Sequence, residues 1–187
     1  MSFSSFLLYV RSAIPIIPLW HWAIMVVVSL GAVWWCVILR DFPIIRSVFL
    51  GTTVLISLFL LDATVFNRIG LERIQFSGLD LDAELHRIVD EPVGARIMML
   101  FNVGAFFPLG ISFFEFLSRS KQLGAKRPIW RVALAAAILS MLIEALQWLI
   151  KVGLFEFTDI VLNTLGAVLG AVLAVGANRV VYRCRRA

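Results

Sequence analysis

Five apolar blocks, each long enough to cross a lipid bilayer, constrain this chain more than any other feature. A span needs roughly 20 predominantly apolar residues, and such blocks run over 19–39, 45–66, 96–117, 130–150 and 159–182. Hydrophobic residues make up 61% of the 187 and charged residues 16%. Mean hydropathy is +0.95, and a soluble domain of this size covers its surface with more charge than that. The expected architecture is an all-α polytopic membrane helix bundle of about five transmembrane helices, a single membrane domain over 1–187. Residues 3–18 are apolar too, but Arg11, Pro15 and Pro18 interrupt them. They read as an interfacial or re-entrant lead-in, and no small-residue cleavage site follows to make them a signal peptide.

The charge is arranged to orient spans. The net charge of +5 does not form a basic stripe with interleaved aromatics, which excludes nucleic acid as a partner; the basic residues sit at block ends. The stretch 67–94 carries Glu72, Asp80, Asp82, Glu84, Asp90 and Glu91 against Arg68, Arg73 and Arg87. The 118–128 connection carries Arg119, Lys121, Lys126 and Arg127 without an acid, and the tail carries Arg179, Arg183, Arg185 and Arg186. Positive-inside logic puts that connection, the tail, Arg40 and Arg46 in the cytoplasm. The N-terminus and the acidic loop then lie outside, and the alternation of five spans closes without conflict. Trp20, Trp22, Trp34 and Trp35 fall near the ends of the first block, where aromatic belts are expected.

Polar side chains inside spans are costly and mark cavities, partners or substrate paths. On this topology Glu144 lies about six residues, ~9 Å, below the outer surface. Ser140, Glu144 and Gln147 share one helical face, as do Asp159 and Asn163. Asn102 lies six residues into the third span, and Asp62 lies near the outer end of the second. The predicted site is therefore a polar pocket in the outer half of the bilayer, built from Asn102, Ser140, Glu144, Gln147, Asp159 and Asn163. Arg68 and Arg73 stand just outside the second span and are placed to fold over it. Glu115, near the cytoplasmic end of its span, can reach the interface. Pro108 removes a helix hydrogen bond near Gly104 and favours a kink.

Each of these residues also has a structural reading. Asp159 suits a helix N-cap; Asn102, Gln147 and Asn163 suit interhelical hydrogen bonds. Gly166 and Gly170 form a small-xxx-small pattern that predicts close helix packing, extended more loosely to Gly176. Glu144 demands most, because a buried carboxylate needs a cation, a proton or a hydrogen-bonded partner. Cys36 and Cys184 have no metal-ligand spacing, His21 and His86 lie away from the pocket, and no cofactor is called for.

Three segments in order resemble the VanZ-like family. Asn102-Val-Gly-Ala-Phe-Phe-Pro108-Leu-Gly110 is similar to its N-x-x-x-F-x-P-x-G span. Ser140-Met-Leu-Ile-Glu144-Ala-Leu-Gln147 resembles its S-x-x-I-E-x-x-Q helix. Phe157-Thr-Asp159-Ile-Val-Leu-Asn163-Thr-Leu-Gly166 resembles the D-D-x-x-x-N-x-x-G start of its last span, and Thr64-Val-Phe66-Asn-Arg68 its element after the second. The chain departs from the pattern in two places. Thr158-Asp159 stands where paired aspartates are common, and Lys151-Val-Gly-Leu-Phe-Glu156 replaces a turn with a Gly-Arg pair, leaving Lys151 or Arg68 as the pocket's cation.

The resemblance implies a multi-pass protein of the bacterial cytoplasmic membrane, linked to resistance against the glycopeptide teicoplanin. Its implied partners are membrane lipids, a lipid-linked envelope precursor or the glycopeptide itself. Three functions compete. One is a protein that binds or handles an envelope lipid through the outward pocket. The second is an intramembrane enzyme using Glu144 and Asp159 as catalytic acid and base. The third is a scaffold subunit whose polar groups only glue helices. A transporter would require a homo-oligomer, because five spans without an inverted repeat make a poor alternating-access core.

Overall fold

The computed structural model describes residues 17–40, 42–66, 92–119, 128–153 and 155–184. These form five helices: α1 (Leu19–Leu39), α2 (Ile44–Thr64), α3 (Pro92–Ser118), α4 (Pro128–Leu149) and α5 (Phe157–Cys184). Prolines punctuate the starts. Pro18 and Pro43 precede α1 and α2 in extended conformation, while Pro92 and Pro128 are the first residues of α3 and α4. A proline costs nothing there, because the first-turn N–H groups have no partner within the helix. All five helices are long and apolar enough to cross a membrane. The 21 residues of α1 and of α2 rise ~32 Å, close to the hydrocarbon thickness of ~30 Å. The 27 and 28 residues of α3 and α5 exceed it, so both helices begin before the apolar blocks at 96 and 159. Pro108 sits within α3, which continues as helix on both sides of it.

Cross-helix bonds fix the alternation of directions. At one end the start of α1 meets the end of α2, and the starts of α3 and α5 meet each other. At the other, Arg46 of α2 donates through Nε to the Phe116 carbonyl near the end of α3. The first is the acidic-loop end, next to residues 67–91; the second is the basic end.

The core is built around α3 and α5. Buried Phe106, Leu109 and Phe114 of α3 pack on Ala167, Ala171 and Ala174 of α5, with Val132, Ala136 and Ile143 of α4 beside them. A β-carbon at Gly166 would strike the carbonyl of Val103, and one at Gly170 the carbonyl of Phe107. The contacts advance four residues on each helix together, so α3 and α5 run parallel. Gly110 meets the Ala167 backbone from the α3 side. The small-xxx-small expectation is met at Gly166 and Gly170, whereas Gly176 faces open space. On the outside, Val27, Leu30, Ile38, Leu134, Ile138 and Leu173 are exposed. An apolar surface this extensive belongs against lipid. Trp20 and Trp34 near the ends of α1, and Trp130 and Trp148 near those of α4, are exposed in belt positions.

Candidate functional site

Polar side chains of α3, α4 and α5 converge at the acidic-loop end. Ser140 and Asn163 face each other across α4 and α5, and the Asn163 amide donates to the Ser140 hydroxyl at 2.8 Å in a fully buried contact. One turn further out, Glu144 is 2% exposed, and its Oε2 accepts the Glu156 backbone N–H at 2.9 Å. Gln147, next along that face, donates through Nε2 to the Thr64 carbonyl at 3.2 Å and so ties α4 to the end of α2. Asn102 of α3 donates to Asp159 Oδ1 at 2.5 Å. Asp159 stands in the first turn of α5. The helix begins at Phe157, so the carboxylate lies inside the turn instead of capping it, where the dipole still favours its charge.

The turn after α4 shapes the cluster. Val152 N–H returns to the Gln147 carbonyl at 3.0 Å and Lys151 N–H to that of Trp148 at 3.2 Å. Together these make a Schellman closure. Lys151 holds the left-handed position with φ 59°, normally a glycine's place. Lys151 is exposed. Gly153 then passes over Gln147: a β-carbon there would approach Oε1 to 2.9 Å. The chain is thereby brought back so that the Glu156 N–H reaches Glu144.

The six sequence-read residues of the spans therefore gather in the half of the bundle toward the acidic-loop end, bonded largely to one another and to main-chain groups of neighbouring elements. Arg68 and Arg73 lie outside the described residues. Glu115, near the end of α3, is enclosed between helices. It is buried, held by Arg119 at 2.9 Å and by the Asn178 amide at 2.5 Å; the partner from α5 retains it between helices. Asp62 stands apart from the α3–α4–α5 cluster and faces His21 of α1, with Nδ1 2.6 Å from Oδ1. That contact has ion-pair distance without hydrogen-bond alignment, and Asp62 Oδ2 is buried with no hydrogen-bond partner among the described residues. The pairing of His21 was missed, although a signal existed: His21 and Asp62 lie equally far from the α1–α2 turn.

One turn closer to the bilayer midplane lies a cavity of about 200 Å³. Buried Leu109, Val132, Ala136 and Ala167 form its floor, while half-buried Thr53, Ser57 and Leu139 stand at its rim. It occupies a gap between α2 and α4, which make few contacts with each other.

No curated protein and no solved structure matches the chain. The VanZ/LLP1 family model does match, over residues 22–180, a stretch that takes in α2, α3 and α4 whole, all but the first three residues of α1 and the last four of α5, and every clustered polar residue. With the helix bundle and the three motifs already in place, this match settles the assignment: the chain belongs to the VanZ/LLP1 family.

Proposed function

We propose that this membrane protein binds or handles an amphipathic lipid of the bacterial cell envelope, or a lipid-linked envelope precursor. The polar head group is recognised at the acidic-loop end by Glu144, Asp159 and the amides of Asn102, Gln147 and Asn163. The observation that carries the reading is the convergence of two carboxylates and three amides from three helices in the half of the bundle toward the acidic loop. Glue between helices needs donors and acceptors, but it does not need two carboxylates, which are the costliest groups to place in a span. In this reading the protein lies in the bacterial cytoplasmic membrane with its N-terminus outside and C-terminus in the cytoplasm. The head-group end then faces the leaflet that glycopeptides such as teicoplanin approach, and lipid handling there alters their access.

A second reading is favoured by the unlike surroundings of the two carboxylates. Glu144 is buried against a main-chain N–H, and Asp159 is half-buried against an amide. Carboxylates in different environments can divide acid and base roles, which makes the site an intramembrane enzyme acting on the same lipid.

Native mass spectrometry of the detergent-purified protein incubated with bacterial envelope lipids separates these outcomes, with Glu144→Gln run beside it. The expected result is a discrete lipid adduct on the wild type, weakened roughly tenfold in the variant, as loss of about 1.4 kcal/mol implies. A lipid of altered mass produced only by the wild type establishes the enzyme. Equal adduct patterns and no turnover in both proteins leave the polar groups as interhelical glue.

A further inference from the structure

We infer that the gap between α2 and α4 is a binding site for a single hydrocarbon chain of a lipid, entered sideways from the bilayer. The inference rests on the lipid-binding reading only in that it supplies the tail site for the same class of ligand.

The argument begins with depth. Thr53 and Ser57 lie at the middle of α2, Leu109 near the middle of the apolar stretch of α3, and Ala167 near the middle of that of α5. Leu139 lies at the middle of α4. Four helices thus centre the cavity near the bilayer midplane, with Val132 and Phe113 extending its lining toward the basic end. Water is absent at that depth and hydrocarbon is what surrounds the protein.

The lining agrees. Its two hydroxyl residues are already satisfied: Thr53 donates to the Phe49 carbonyl at 2.8 Å and meets Ser112 Oγ at 3.1 Å, and Ser57 donates to the Thr53 carbonyl at 2.9 Å. What they present to the cavity is therefore chiefly carbon. An apolar cavity of ~150 Å³ stays dry and accepts benzene; this one, at about 200 Å³, takes a segment of acyl or prenyl chain.

Small residues normally draw membrane helices together, but Ala135 and Ala136 of α4 line the cavity while α2 and α4 make few contacts. A void with no atoms to meet its walls forfeits dispersion contacts. The half-buried rim leaves a lateral way in for a chain that restores them.

Placement then links tail to head. Leu139 immediately precedes Ser140, Ala167 lies one turn below Asn163, and Leu109 lies two turns below Asn102. On all three helices the cavity sits directly beneath the polar cluster, the arrangement an amphipathic molecule requires.

The test uses the full chain in vesicles of phosphatidylethanolamine and phosphatidylglycerol. These are doped with a phosphatidylglycerol that carries a diazirine near the end of its acyl chain. After irradiation, labelled residues are mapped by mass spectrometry. Labelling is expected to concentrate at Leu139 and Phe113 relative to exposed Val27 and Leu30 of α1. Ala135→Phe, which fills the rim, is expected to cut cavity labelling roughly tenfold, the factor that about 1.4 kcal/mol of lost chain binding gives, and to leave α1 labelling unchanged. Labelling spread evenly over all lipid-facing positions, or unchanged in Ala135→Phe, overturns the site. Circular dichroism melts accompany the labelling, and Ala135→Leu, which adds fewer atoms, carries the same test if the phenylalanine variant does not fold. Head-group failure reads separately: if Glu144→Gln retains lipid as the wild type does while Ala135→Phe loses cavity label, the tail site stands and the head-group assignment falls.

Discussion

Lys151 occupies the one positive-φ non-glycine position among the described residues, at the turn on which the polar cluster depends. A left-handed conformation costs an L-residue about 1–2 kcal/mol, and the Schellman closure of α4 requires it there. Lys151→Gly should therefore stabilise the folded protein by up to ~1 kcal/mol, less than the full conformational cost because glycine also loosens the unfolded chain. A thermal melt in detergent reads the change; a lower midpoint would mean that the lysine side chain itself contributes to the turn. At this scale the sequence was informative where a residue's own chemistry carried the signal. Ser140, Glu144 and Gln147 declare a shared face by spacing alone. Their partners did not declare themselves, because the Thr64 carbonyl and the Glu156 N–H are main-chain groups that every residue type possesses. The pairing of Glu115 was hidden for a related reason: its partner Asn178 lies 63 residues away on another helix.

Between elements, the closest approach is that of α3 and α5, where three glycines let backbone meet backbone. Gly170→Ala puts a β-carbon against the Phe107 carbonyl and 3.1 Å from the Ile111 nitrogen. Neither is the tip of a flexible side chain, so the helices must separate. Overpacking of this kind costs typically 1–3 kcal/mol, and Gly170→Ala should lower stability by about 2 kcal/mol. Gly104→Ala is the matched control on α3. Nothing lies within 4 Å of its β-carbon, so the intrinsic helix preference of alanine, up to ~1 kcal/mol, should appear as a gain. Opposite signs in chemical unfolding check the packing, and two gains would mean that α3 and α5 do not approach as described. The Gly166–Gly170 spacing made an interface legible in the sequence, but not which helix would fill it. The identity of α3 as the partner, in parallel, emerges only when side-chain volumes on both helices are matched in three dimensions. The α2–α4 gap was illegible for the same reason. A run of alanines announces close packing, and whether a neighbour closes on it is decided by every other contact in the bundle.

For the whole molecule, length and apolarity were enough to recover five membrane helices, because a bilayer permits few alternatives to them. The cross-helix bonds fix the order of ends, with polar groups of α3, α4 and α5 at one end and Arg46, Glu115, Arg119 and Asn178 at the other. Which end faces the cytoplasm is a separate matter of charge. Four basic residues without an acid in the α3–α4 connection, and four arginines in the tail, oppose an acidic loop on the other side. Lysine and arginine in short loops set orientation during insertion, while acids contribute little. A fluorescent-protein fusion after Lys121 should therefore be bright and an alkaline phosphatase fusion there inactive, with the reverse for fusions after Asp80. Should the pattern invert, Glu144 and Asp159 would face the cytoplasmic leaflet, and the proposed recognition of an outer-leaflet head group would fail along with the proposed effect on glycopeptide access. The hydrocarbon site would survive that inversion. It lies at the midplane, where chains from both leaflets end, so its depth is the same whichever way the bundle is inserted.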